Sequence, residues 1–256
     1  MTTPSFLLQS GNILPTEKLA CISSDYLCTY CKFENLGDLP KVPMQVPVGS
    51  VEFVEKFAEL RGIALPAESL SYACGSDKFL KRKVRRGVLS EASPEEFVKP
   101  VAVKKFTGDI RKNIRPLSPQ TPVWISEPVE FTAEYRFYVQ DTVSQAFIPI
   151  VGRYDCYDSK PPNPKKALDL ALNLANEIHQ NLGPSAYSID IGYRPDINDY
   201  DLVEVNDAWA LGLYPDSAEF ENHEPVGPNY VEMLISRWRQ LVFCSIVDKD
   251  QRLVVE

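Results

Sequence analysis

Three segments of this chain alternate so regularly that each must lie in a sheet with one apolar face and one charged face. In VEFTAEYRFYV (129–139), Val129, Phe131, Ala133, Tyr135, Phe137 and Val139 fall on one side, which leaves Glu134 and Arg136 on the other. In YSIDIGYR (187–194), Tyr187, Ile189, Ile191 and Tyr193 make the apolar face, so Asp190 turns away with Ser188 and Gly192. In DLVEVNDAW (201–209), Leu202, Glu204 and Asn206 share a side. Such a pattern reads as a half-buried strand over a core, with the charged face turned to solvent or to a ligand.

If the last two segments pair as a hairpin about Ile197, Asp190 lies opposite Glu204 and Ser188 opposite Asn206. Directly opposed Cβ atoms are roughly 4.5–5.5 Å apart, so two carboxylates there repel unless positive charge lies between them. An all-oxygen set of Asp, Glu and Asn suits hard Mg²⁺ better than zinc, and Mg²⁺ commonly sits between a few carboxylates and the phosphates of a substrate. Spacing alone leaves a second reading open, a ladder of solvated polar residues.

Composition narrows the partners. The 256 residues are 44% hydrophobic and 24% charged, an ordinary globular balance, and the net charge of −8 repels phosphate backbones and disfavours nucleic acid. The chain offers no run of roughly 18 apolar residues and no basic-then-apolar start, so no membrane span or export signal is expected and a cytoplasmic location is. Its six cysteines then read as reduced thiols. Cys28 and Cys31, with Cys21 nearby and only His179 and His223 to complete a tetrahedron, make a zinc site the weaker alternative.

Along the chain, residues 1–50 read as a short irregular α/β or β-rich lead-in whose KVPMQVPVGS is extended and ends in a Gly turn. Ser50 is placed to cap a helix over VEFVEKFAELRG, with Val51, Val54, Phe57, Ala58 and Leu60 as its apolar positions and Gly62 as its stop. The basic stretch KFLKRKVRRG (78–87) reads as a solvated helix face, with phosphate steering as the alternative. FVKPVAV, PVWISEPV, FTAEYRFYV and QAFIPIVGRY read as strands, and PKKALDLALNLANEIHQNLG as an amphipathic helix that Gly183 stops. NYVEMLISRWRQLVFCSIV is expected to be a packing helix that passes into a last strand.

Lys99 lies inside an apolar strand segment, and Lys104 and Lys105 precede a Thr-Gly turn. Such a lysine either snorkels to solvent or serves as a point charge for phosphate. No Walker-type loop, dinucleotide fingerprint, nucleophile elbow, zincin helix or kinase loop is present, so any nucleotide is held by other means.

The order of these elements resembles the ATP-grasp fold, and within it the small phage- and bacteria-type clade named for one arginine and two lysines. VPVGSVEFV (46–54), FVKPVAVKKFTG (97–108) and SIDIGYRPDINDYDLVEVNDAWALGLY (188–214) carry the likeness, which spans about 45–215. The resemblance implies an α+β chain with two lobes whose antiparallel sheets enclose a nucleotide cleft. The lead-in is then 1–50 and the ATP-grasp domain 51–256, with lobe one about 51–126 and lobe two about 127–256.

By the same resemblance, ISEPVEF is the hinge. Glu127 would take the adenine amine, Pro128, Val129 and Glu130 the backbone and apolar contacts, and Glu134 the ribose hydroxyls. Lys99 and one of Lys104 and Lys105 would hold the ATP phosphates, and Asp190, Glu204 and Asn206 the Mg²⁺, Glu204 bridging two ions. Arg136 would neutralise charge on the transferring phosphoryl group, with Lys105 and Arg153 beside it in the catalytic set. Arg153 reads equally as half of a surface ion pair.

The implied reaction is ADP-forming ligation of a carboxylate and an amine through an acyl-phosphate, on an amino acid, a peptide or a small metabolite. The alternatives are an ATP-dependent phosphotransferase and an interaction module that binds ATP without turnover.

Overall fold

In the computed structural model, residues 3–72, 76–141, 150–157, 161–214 and 226–253 are described. The chain opens with β1 (Ser5–Gln9), whose consecutive Phe6, Leu7 and Leu8 are all fully buried, the mark of a strand covered on both faces. Gly11, at φ 81°, turns the backbone toward α1 (Pro15–Ile22), which has proline in its first turn. β2 (Leu27–Cys31) and β3 (Gln45–Val48) flank β1 in a parallel sheet of order β2-β1-β3. The lead-in is thus a regular parallel unit.

The helix expected from Ser50 to Gly62 is α2 (Val51–Arg61). Ser50 Oγ accepts the Phe53 N–H at 3.3 Å, and Gly62 ends the helix at φ 65°. Its buried face carries Phe53 with Val54, Phe57 and Ala58, and Leu60 points outward. α2 shares a core with the parallel sheet and with α4 (Val226–Leu253), where Phe57 and Trp238 meet at 5.9 Å between ring centroids. α4 stays helical to Leu253 and no last strand forms among the described residues, because Val231, Leu234, Trp238 and Leu241 recur at three- and four-residue spacing against that core.

Next come β4 (Val84–Val88), β5 (Phe97–Pro100), β6 (Asp109–Ile110) and β7 (Pro122–Ser126), an antiparallel sheet of order β4-β7-β5-β6. The basic stretch 78–87 is not a helix face. It leaves a 3-10 turn and becomes the edge strand β4, where the β-branched Val84 and Val88 suit a strand. Nor is it a patch of unpaired charge: Lys78 pairs with Glu177, Lys81 with Asp199, Arg85 with Glu96 and Arg86 with Glu68.

β8 (Ala133–Gln140), β9 (Ile150–Tyr157), β10 (Ala186–Arg194) and β11 (Asp199–Asp207) form the second antiparallel sheet, of order β11-β10-β8-β9. The part of the expected β9 segment before residue 150 lies outside the described residues. α3 (Lys165–Gln180) covers one face, its alanines 167, 171 and 175 letting the helix settle on Tyr135, Phe137, Ile189 and Ile191. The left-handed residue that ends α3 is Leu182, at φ 53°, and not Gly183. Gly183 is needed for a different reason, since a Cβ there would overlap Ile178. Among the described residues no helix is long and apolar enough to cross a membrane.

The two antiparallel sheets are stitched together by Asp201 of β11. Its carboxylate, fully buried, takes Arg82 at 2.8 Å, Arg194 at 3.2 Å and the Lys81 N–H at 2.8 Å. Asp201 thereby fixes the start of β4 against the β10–β11 hairpin, and the uncovered face of the second sheet looks toward β5.

Candidate functional site

β10 and β11 pair in the expected outer register, with Ser188 opposite Asn206 and Asp190 opposite Glu204. Symmetry about Ile197 stops there. The register slips between Asp190 and Ile191, so Ile191 faces Leu202 and Val203 is the extra residue of a bulge. Strict alternation would have left Leu202 beside Glu204 on the polar face. The bulge turns Leu202 into the α3 core, where it is fully buried, and keeps Glu204 and Asn206 on the other side.

On that polar face Arg136 lies directly across from Asp190 and grips it with two hydrogen bonds, Nε to Oδ1 at 2.7 Å and Nη2 to Oδ2 at 2.5 Å. Asn206 Nδ2 donates to Asp190 Oδ2 at 3.1 Å and to Glu204 Oε1 at 2.9 Å. Lys99 reaches across from β5 and pairs with Glu204. Asp190, Glu204, Asn206, Arg136 and Lys99 are therefore one connected cluster between two sheets.

The charges perturb one another. Burial pushes the Lys99 ammonium down to about 8, helped by Arg82 and Arg136 and opposed by Asp190 and Glu134. Burial, with Asp190 adding to it, pushes the Glu134 carboxyl up to about 7, against Arg136 and Lys99. For Arg136 burial disfavours the guanidinium, yet the Asp190 charge and its hydrogen bonds hold the pKa above the ordinary arginine range.

A cavity of about 420 Å³ opens beside the cluster, lined among others by Lys99, Lys104, Thr107, Gly108, Glu204 and Asn206. Lys104 sits at φ 46°, a left-handed conformation that costs a residue with a side chain on the order of 1 kcal/mol or more and is typical of functional turns. Although the residue is exposed as a whole, desolvation of its ammonium at the cavity, and after it Arg136, lowers its pKa. Lys104 and Lys105 are both exposed, and of the two only Lys104 lines this cavity and a second one beside it.

Glu127, Pro128, Val129 and Glu130 join β7 to β8. All but Val129 are exposed, and the Glu127 carboxylate accepts the Lys83 N–H at 2.9 Å, tying the link to the approach of β4. Arg153 does not join the cluster. It pairs in register with Phe137, on the α3 face, where it bonds Asp155 at 2.8 Å and lies 5.9 Å from the Tyr135 ring.

Cys28 and Cys31, three apart on β2, point to opposite faces, which no tetrahedral site tolerates. Cys28 Sγ instead donates to the Cys21 carbonyl at 3.3 Å, and His179 pairs with Asp141 at 2.7 Å. His223 lies outside the described residues, and among those described no three His, Cys, Asp or Glu side chains form a metal-holding group.

Two aromatic rings complete the site. Tyr214 stacks 4.9 Å from the Arg136 guanidinium, and Tyr72 lies 5.8 Å from Lys99 Nζ and packs edge-on to Trp124 at 5.5 Å. Neither ring follows from sequence reasoning, nor does the reach of Arg82 to Asp201. Each stands in an irregular stretch, with no periodicity to mark it.

A family model described as an ATP-grasp domain, family 2 of the clade named for one arginine and two lysines, matches residues 79–220, more than half of the chain and all of the cluster. The chain belongs to this family. Solved structures agree in fold. N5-carboxyaminoimidazole synthetase from Staphylococcus aureus complexed with ADP matches with TM-score 0.54 at 9% identity, over 93% of this chain and 78% of that one. The Aspergillus clavatus enzyme in complex with ADP and 5-aminoimidazole ribonucleotide gives 0.51 at 9%, over 91% and 77%. The Thermotoga maritima enzyme gives 0.50 at 11%, over 92% and 76%. Among curated proteins, none matches. In this ATP-grasp chain the family region holds Lys99, Lys104, Glu134, Arg136, Asp190, Glu204 and Asn206, and the parallel sheet and α2 lie outside it.

Proposed function

We propose that this ATP-grasp chain is an ATP- and Mg²⁺-dependent carboxylate–amine ligase that works through an acyl-phosphate. The observation that carries the reading is the cluster itself: two cations from facing sheets, Lys99 and Arg136, bound to two carboxylates that share one carboxamide. Two cations and two carboxylates gathered in a half-buried cleft can exchange one another for a polyanion and its counter-ions.

The donor set of Asp190, Glu204 and Asn206 is all oxygen once the Asn206 amide turns its carbonyl inward, and so fits a hard divalent cation. Bound there, Mg²⁺ would neutralise the triphosphate oxygens. Lys99, released from Glu204, and Lys104 on its left-handed turn bind phosphate, and Lys105, which does not line the cavity, is given no role. The 127–130 link takes the adenine through its backbone, held in place by the Lys83 N–H that donates to one Glu127 oxygen, and Glu134 accepts from the ribose hydroxyls.

Arg136, with its pKa held high, stays charged throughout and faces the charge that builds on the transferring group. The acceptor carboxylate attacks the γ-phosphorus, the bond to the β-bridging oxygen breaks and ADP departs. An amine then attacks the acyl carbon, the C–O bond to phosphate breaks with its electron pair, and the amine proton is lost. No side-chain nucleophile is needed. Residues that align the partners and exclude water suffice.

The test is incubation of the full chain with ATP, Mg²⁺ and pooled amino acids and peptides, following ADP and product masses together. Ligation gives ADP only with an acceptor present, and a mass equal to acid plus amine less water. A stable phosphorylated product would make the chain a phosphotransferase instead. Asp190→Ala and Glu204→Ala should each abolish Mg²⁺-dependent turnover, and retained turnover would remove them from the metal set.

A further inference from the structure

The segment that follows β11 has no regular structure after its short 3-10 turn, yet it is pinned residue by residue. Leu211 and Leu213 are 6% and 5% exposed and pack into the core that the parallel sheet shares with α2 and α4. Gly212 between them approaches α1 so closely that a Cβ there would stand 2.9 Å from Leu14 Cδ1. Hydroxyls from three elements then take the carbonyls in turn. Tyr230 of α4 donates to Leu211 at 2.8 Å, Tyr138 of β8 donates to Gly212 at 3.4 Å, and Thr16 of α1 donates to Leu213. The Tyr138 hydroxyl also accepts the Tyr214 N–H at 3.5 Å. Connecting segments are usually the mobile parts of a fold, and this one is fixed from the core side up to Tyr214.

What the pinned backbone carries is not core. The Tyr214 ring is 44% exposed and lies 4.9 Å from the Arg136 guanidinium and 5.6 Å from the Tyr154 ring. Tyr154 pairs with Arg136 in the register of β8 and β9, so it stands on the same polar face. Arg136 is thus bordered by one ring of its own sheet and covered by a second that the pinned segment brings. Packing accounts for Leu211 and Leu213. It does not account for an exposed ring set over a cation that Asp190 already binds twice. Tyr214 also stands at a boundary. A second cavity, of about 310 Å³, lies against the parallel sheet, and Lys104, Ala210 and Tyr214 line both it and the cavity beside the cluster.

We infer that the Tyr214 ring is a water shield over the transferring phosphoryl group, held above Arg136 by Thr16, Tyr138 and Tyr230. The reaction it prevents is attack of water on the γ-phosphorus, in which the bond to the β-bridging oxygen breaks with its electron pair, ADP departs and the water proton is lost. A ring stacked on a guanidinium suits this role, because the two attract each other while the ring excludes solvent from the charge beneath it. Arg136 keeps both bonds to Asp190 without the ring, so removing the ring admits water and leaves the cation in place. The inference rests on the ligase reading for the group that is transferred. Its geometry draws on Thr16 and Tyr230, which lie outside the family-matched residues, so the shield belongs to this chain rather than to the matched domain.

The leak is measured as ADP released from ATP and Mg²⁺ by the full-length protein with no acceptor added. Tyr214→Ala should raise it at least about 10-fold over native, while ATP affinity by calorimetry stays within about threefold. Tyr214→Phe keeps the ring and should leak no more than about threefold above native. Thr16→Val has nearly the same shape, removes one pin and touches no part of the site, and it should leak as well. Structural damage alone lowers ADP release and does not raise it. A folded Tyr214→Ala that releases ADP no faster than native, or a Tyr214→Phe as leaky as the alanine variant, overturns the shield, and if Tyr214→Ala does not fold, Thr16→Val decides in its place. If pooled amino acids and peptides give the native protein no condensed mass while the alanine variant leaks, the shield stands and the ligase reading falls. Condensed product from the native protein with no leak in the variant does the reverse.

Discussion

Replacing Glu134 by glutamine should stabilise the fold and damage nucleotide binding at once. Burial, with Asp190 near, raises the Glu134 pKa from 4.5 to about 7 in the folded protein, against the pull of Arg136 and Lys99. The folded state therefore holds a proton that the unfolded chain has released anywhere between those two values. Stability tied to that proton is complete below about pH 4.5, drains away as pH rises through about 7, and is absent above it. With each pKa unit worth about 1.4 kcal/mol, the loss is about 3 kcal/mol.

Glutamine carries no such charge, so its advantage over the native protein should grow from near zero at about pH 4.5 to about 3 kcal/mol at about pH 8. Urea unfolding of both proteins at half-unit pH steps, without nucleotide or metal, measures this directly. Parallel stability profiles would refute the reasoning, because they would mean that Glu134 titrates alike in both states. If Glu134 also accepts from the ribose, the variant should bind ATP about 10- to 100-fold more weakly at about pH 8, the worth of one or two hydrogen bonds to a charged group.

Three further outcomes follow from the same geometry. Arg136→Ala strands the fully buried Asp190, so it should cost about 3–5 kcal/mol in denaturant unfolding and cut single-turnover ADP formation by about 10³-fold or more, and turnover within about threefold of native would exclude Arg136 from catalysis. Arg82→Ala leaves Asp201, at the junction of the two antiparallel sheets, with Arg194 and the Lys81 N–H and should cost about 1.5–3 kcal/mol by thermal or urea unfolding, against under about 1 kcal/mol for Arg86→Ala, whose pair with Glu68 is exposed. Gly192→Ala drives a Cβ into the Phe131 ring and should destabilise by about 1–3 kcal/mol, and a crystal structure of the variant should show that ring displaced.

The sequence was most legible where one period held without interruption. Alternation in 133–139 and 187–194 assigned Glu134, Arg136 and Asp190 to one face, and the face is as expected. The cap and stop of α2 were equally plain, because Ser50 and Gly62 act on their immediate neighbours. Legibility failed where distant residues decided the outcome. Arg153 looked like a site residue, but its position opposite Phe137 puts it on the α3 side. The basic stretch 78–87 looked like a solvated helix face, but Lys78, Lys81, Arg85 and Arg86 are claimed by acids from elsewhere in the chain. Leu202 looked polar-facing until the bulge at Val203 turned it inward.

What the chain's order of residues determined by itself is local: which side chains share a strand face, where helices begin and stop, and that oxygen donors and cations are present in an acidic chain. These depend on backbone periods and on near neighbours, which any stretch carries with it. The tertiary structure alone decided that Lys99 meets Glu204 across two sheets, that Lys104 rather than Lys105 lines the cavities, and that Tyr72 and Tyr214 close over the cations. Those are meetings between residues far apart along the chain. Which partners meet is set by how whole sheets bury their apolar faces, and no local pattern encodes it.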